Sequence, residues 1–78
     1  MKAVILLRTN PGSEERAAGH LESVSVPGVK VTETMHLFGR IDGLMTCEAE
    51  NHKALGALGE ALRHGGVFHT ETLISIED

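Results

Sequence analysis

The chain has 78 residues, 41% hydrophobic and 23% charged, with seven basic residues against eleven acidic and a formal charge of −4. A chain this short is one domain spanning 1–78, with a small core that gains from a partner. Its balance excludes disorder, and the scattered basic residues argue against direct nucleic-acid binding. One cysteine, Cys47, excludes an internal disulfide and fits a reducing compartment. No apolar run is long enough for a membrane span, and Arg8 ends the N-terminal one before it can be a signal peptide. The expected location is the cytoplasm.

Ala3 to Thr9 is apolar and rich in branched residues, and predicts a first strand. Asn10-Pro11-Gly12 is a turn signal. Ser13 follows as the N-cap of a first helix, with Glu14 and Glu15 where the helix dipole favours acid. Ala17, Leu21 and Val24 give that helix one narrow apolar stripe. After Pro27-Gly28, Val29 to Leu37 predicts a second strand. Residues Phe38 to Gly43 read as a loop, and Leu44 to Ala49 as a third strand. Asn51 caps a second helix marked by Leu55, Leu58 and Leu62. Gly56 and Gly59 weaken it, or permit close contact with the sheet. Gly65-Gly66 stops it. Val67 to Ile76 predicts the fourth strand, with Glu77-Asp78 as the end.

The order β-α-β-β-α-β, with Gly28 to Thr34 echoed by Gly66 to Thr72 38 residues later, predicts an α+β, ferredoxin-like sandwich. Its four-stranded antiparallel sheet carries both helices on one face. The strands are nevertheless apolar on two sides. Val4 and Leu6 oppose Ala3, Ile5 and Leu7. Leu44 opposes Met45, Cys47 and Ala49, and Val67 and Leu73 oppose Phe68, Ile74 and Ile76. An open face of that composition predicts a homo-oligomer packed sheet to sheet.

Catalytic signals are weak. Cys47 has no neighbouring activator and reads as a small core residue. His20, His36, His52, His64 and His69 lack metal-ligand spacing, so neither a metal nor a cofactor is expected. Glu33 and Glu71 occupy equivalent repeat positions and read as solvated strand residues rather than an acid–base pair. The loop Gly39-Arg40-Ile41-Asp42-Gly43 is different. Glycines admit a ligand to the backbone, and Arg40 with Asp42 supplies a cation and an anion, as a zwitterionic amino acid requires. Thr70 and Thr72 add hydroxyls if the fourth strand lies beside the loop. The same loop can equally be an ordinary turn with a self-contained Arg–Asp pair.

The run FGRIDGLMTCEAEN, a helix, and then HGGVFHTETLISIED resembles the effector-binding half of the leucine-responsive/AsnC (Lrp/AsnC) regulators, the RAM domain. The resemblance rests on Gly39 and Asp42 before the third strand, and on Gly66, Val67, Thr70 and Thr72 entering the fourth. The opening RTNPGSEERAA fits it too. The family carries a helix-turn-helix domain that is missing here, so the likeness is to stand-alone members. Ile41 stands where the family often has an aromatic, and Gly43 replaces a bulkier residue. The resemblance implies dimers with α/β-barrel-like packing, assembled further into rings or octamers. It implies an amino-acid effector bound between subunits by Gly39, Asp42, Thr70 and Thr72, with Arg40 and His69 tuning specificity. It also implies a regulatory role without enzymatic activity, exerted through mixed oligomers with full-length Lrp/AsnC regulators. Two other readings are a small dimeric ferredoxin-like enzyme, of monooxygenase or isomerase type, and a purely structural oligomerisation module.

Overall fold

A computed structural model describes residues 1–76; the end at Glu77-Asp78 lies outside the described residues. The elements are β1 (Lys2–Thr9), α1 (Glu14–Ser23), β2 (Val29–His36), β3 (Gly43–Ala49), α2 (His52–Arg63), a short 3₁₀ turn (His64–Gly66) and β4 (Phe68–Ile74). One sheet runs in the order β2-β3-β1-β4. Every neighbouring pair is antiparallel, as the ferredoxin-like plan demands.

The sheet's alternation sorts its side chains. Ala3, Ile5 and Leu7 of β1 and Met45, Cys47 and Ala49 of β3 are buried on one face. Leu55, Leu58 and Leu62, at helical spacing, bring one stripe of α2 onto them, and Val67 and Phe68 complete the core. The opposite face carries Val4, Leu6 and Leu44, none of them covered by a helix. Both helices therefore serve the same face, and they serve it unequally. No residue of α1 is buried. Ala17 and Leu21 reach the core only in part. A polar contact adds to that partial packing: the His20 Nε2 lies 3.0 Å from the carbonyl of Ala61 and 3.1 Å from that of Leu62, in the last turn of α2.

Four details depart from the sequence reading. Ser13 stands at the N-cap of α1 but makes no capping bond. Its hydroxyl turns to the carbonyl of Gly66, at 3.4 Å, and accepts from Arg16 Nη2. Asn10 joins it: its Nδ2 donates to the same Gly66 carbonyl and its backbone N–H to that of Val67. The turn after β1 is thereby tied to the turn before β4. Val67 is not a strand residue facing the open side. Gly65 and Gly66, both at positive φ, rotate the chain, and Val67 enters the core in helical conformation. Gly43 is the buried first residue of β3 rather than part of the loop. Last, β2 slips register between Val31 and Glu33. This bulge turns Thr32 toward Thr46, whose hydroxyl it meets at 2.6 Å, whereas its repeat partner Thr70 pairs with Leu7 on the helix side. Glu33 and Glu71 sit on opposite edge strands. With two strands between them, they are separated by about 14 Å of sheet.

Asn51 caps α2 as expected, accepting from Ala54 N–H at 2.8 Å. The two glycines of α2 differ. A Cβ at Gly56 would meet nothing within 4 Å, while one at Gly59 would lie 3.0 Å from Arg63 Nη1. Gly59 therefore leaves room for the Arg63 guanidinium to fold back toward Thr70. Gly56→Ala is expected to stabilise the domain by about 1 kcal/mol through helix propensity, and so to raise Tm by about 4–8 °C. Gly59→Ala is expected to gain distinctly less, because Arg63 must shift. Thermal unfolding of the two variants checks this.

Candidate functional site

The hairpin between β2 and β3 is closed at its base by Leu37 N–H donating to the Asp42 carbonyl at 2.9 Å. Asp42 is then fixed twice to β1. Its backbone N–H donates to the Leu7 carbonyl, and its Oδ2 accepts from Thr9 N–H at 2.7 Å. The carboxylate thus positions the loop against the end of the central strand. Beyond this base, the tip from Phe38 to Ile41 projects from the sheet.

Two concavities flank the hairpin. The first lies on the open-face side and measures about 140 Å³; Arg8, Arg40, Ile41, His69, Glu71 and the Leu6–Leu7 segment line it. Strand register creates it: Arg8 stands opposite His69, and Leu6 opposite Glu71. The hairpin then brings Arg40 alongside. Among the described residues, the side chains of Arg8, Arg40, His69 and Glu71 make no hydrogen bond or ion pair. Two guanidinium groups, an imidazole and one carboxylate around an apolar floor suit a small zwitterion. Guanidinium groups are donors suited to a carboxylate, and a carboxylate such as Glu71 is an acceptor suited to an ammonium.

The second concavity, about 180 Å³, lies on the helix side between α1 and the sheet. Leu7, Ala17, Ala18, Leu21 and Phe68 form its walls, and Glu14, His36 and Asp42 stand among its polar lining.

The residues singled out from the sequence divide between these places. Arg40 and His69 share the first concavity. Asp42 lines the second, so the Arg40–Asp42 pair is split across the hairpin. Gly39, at φ 148°, lies at the tip and lines neither. Thr70 accepts from Arg63 Nη1 at 2.8 Å. Thr72 stands opposite Ile5, outside both concavities. Sequence reasoning missed Arg8 and Glu71 as members of the charged concavity. The available signal was their alternation with Leu6 and His69 on paired strands, which needs the register to be read.

Cys47 is 2% exposed. Burial pushes its thiol above the ordinary range, and the N-terminal ammonium pulls it back only in part. It packs the core, away from the accessible, electropositive setting that activates a thiolate. Among the described residues, no group of three or more His, Cys, Asp or Glu could hold a metal ion, and no helix is long and apolar enough to cross a membrane.

No family model matches the sequence, and no curated protein sequence matches it. Solved structures do. FFRP-DM1 superposes with a TM-score of 0.71 at 27% identity, covering 96% of this chain and 97% of that one. The hypothetical protein PHS023 from Pyrococcus horikoshii superposes with a TM-score of 0.67 at 26% identity, covering 99% of this chain and 90% of that one. The ferredoxin-like architecture is therefore shared along almost the whole chain with proteins of nearly equal length.

The raised thiol pKa has a sign that can be tested. The folded state holds the Cys47 proton more tightly than the unfolded state, so this contribution is intact below the ordinary thiol pKa of about 8.5. It is lost as pH rises toward the folded value. Native protein is expected to resist thiol reagents until unfolded. Its Tm is expected to fall above about pH 8.5 more steeply than that of Cys47→Ala.

Proposed function

We propose that this chain is an amino-acid-binding regulatory module that works as a homo-oligomer and takes its effector where subunits meet. The observation that carries the reading is the concavity formed by Arg8, Arg40, His69 and Glu71. Its charged groups lack partners among the described residues, and it opens at the margin of the uncovered sheet face. The likeness to FFRP-DM1, a feast/famine regulatory protein of Lrp/AsnC-like type, supports it.

The open face supplies the dimer contact. Cross-strand pairing joins Met35, Leu44 and Leu6 in one row, and Val4 and Leu73 in the next. Met35 and Leu73 are 42% and 47% exposed. One end of this patch is closed by Lys30, Glu48 and Lys2 side by side, an alternation that can pair with itself across a two-fold axis. The other end is the charged concavity. A second copy packed on the patch excludes water from the concavity's margin, which strengthens its charge-assisted bonds to a bound zwitterion. The chemistry on offer is binding: charged groups converge there without a nucleophile. Ligand-dependent assembly follows when the effector binds one assembly state more tightly than another. Through mixed oligomers, such a module passes that state to full-length regulators of the same architecture.

Dye-reported melts against the twenty amino acids at millimolar concentration test the binding. An effector at 100 times its Kd adds about 2.7 kcal/mol, a Tm rise on the order of 10 °C for a domain of this size. One or two amino acids are expected to produce it. Arg8→Ala and Glu71→Gln are expected to abolish it without lowering the unliganded Tm, since both groups are exposed. A flat panel defeats the reading. The assembly is tested separately by sedimentation, where Leu6→Glu is expected to remove the sheet-face contact and lower the assembly mass while the domain stays folded.

A further inference from the structure

We infer that Phe38 of one copy seats in the cavity between α1 and the sheet of a second copy. One phenyl knob of a two-fold pair would then fill each cavity. Phe38 is one of only two aromatic residues, and it is 107% exposed at the hairpin tip. An uncovered phenyl at a loop tip has no packing role within its own chain. The cavity is its counterpart. Its volume of about 180 Å³ compares with the roughly 150 Å³ that accommodates a benzene ring in a protein interior. Its walls, Leu7, Ala17, Ala18, Leu21 and Phe68, are apolar.

Charge and geometry favour another copy of this chain over a different partner. The tip carries Arg40 as its single charge, and the cavity's polar lining includes the Glu14 and Asp42 carboxylates. His36, paired with Gly43, and Asp42 belong to both the lining and the base of the hairpin. Knob and hole are therefore neighbours on each copy, and two copies related by a two-fold axis can exchange tips reciprocally. A buried phenylalanine accounts for about 150–250 Å², so the exchange is small beside the 1,200–2,000 Å² of a stable interface. It suits a second contact that joins copies already paired through their open faces. That second contact lies on the helix side, apart from the sheet-face dimer, and its failure leaves the dimer reading untouched.

Sedimentation velocity across a concentration series, on the full chain, tests the inference. The wild type is expected to exceed dimer mass. Phe38→Ala removes the knob, and Ala18→Phe fills the hole. Both positions are exposed, so both variants are expected to keep the wild-type Tm and to lose the same assembly step. Mixing the two variants is the specific test. Each mixed pair retains one intact knob and one intact hole, so part of the lost mass is expected to return. Several results overturn the inference: a wild type that never exceeds a dimer, a Phe38→Ala assembly equal to wild type, or an Ala18→Phe assembly equal to wild type. The last would seat Phe38 elsewhere, such as on the open sheet face. Mixing without recovery overturns it as well.

Discussion

Two helices cannot cover both faces of a four-stranded sheet, and most features of this molecule follow from that constraint. β1 runs through the interior of the sheet and is apolar on both sides. Toward the helices, its Ala3, Ile5 and Leu7 are buried beneath the leucines of α2. Away from them, Val4 and Leu6 have only their strand neighbours, Leu44 and Leu73 among them. A sheet built this way leaves apolar surface in water unless a second molecule removes it. In a chain of 78 residues, that surface is a large share of what could be buried at all.

Most charged groups fall at the ends of this face, with Glu71 beside Leu6 as the exception. A row of Lys30, Glu48 and Lys2 marks one end, and Arg8, His69 and Arg40 gather at the other. That separation follows from strand register alone. Residues facing the open side recur at every second position, and the antiparallel ladder aligns the apolar middles of neighbouring strands together with their charged ends. The hairpin completes the arrangement because Asp42 fixes its base to Leu7 and Thr9. A concavity whose charges are unpaired among the described residues, beside an uncovered apolar patch, is thus a product of the same alternation that makes the core.

The order of elements was legible because punctuation and periodicity agree: Asn10-Pro11-Gly12, Pro27-Gly28, Asn51 and Gly65-Gly66 stand where the elements begin or end. Facing was legible for β1 and β3, whose alternation is unambiguous. It was not legible where the backbone departs from regular geometry. The slip between Val31 and Glu33 separates Thr32 from its repeat partner Thr70, and the paired glycines carry Val67 into the core. The site was half legible. Arg40 and His69 were named, and both line one concavity. Arg40 and Asp42 are two positions apart in sequence, yet the hairpin base holds Asp42 toward α1 while Arg40 faces the other way. Arg8 and Glu71 stayed hidden because a lone charge on a strand acquires meaning only from its cross-strand partner.

The attachment of α1 has a consequence for how the molecule comes apart. This helix contributes no buried residue: Ala17 and Leu21 pack on the core only in part, and one imidazole ring meets two carbonyls at its far end. The sheet and α2 share the leucine core and lose far more on separating. Stability is therefore graded along the chain: α1 can lift away while the remainder stays folded. Its backbone amides would exchange with solvent deuterium well before those of β1 and β3. In kinetic terms, the helix is an early-opening flap on a slower-opening body.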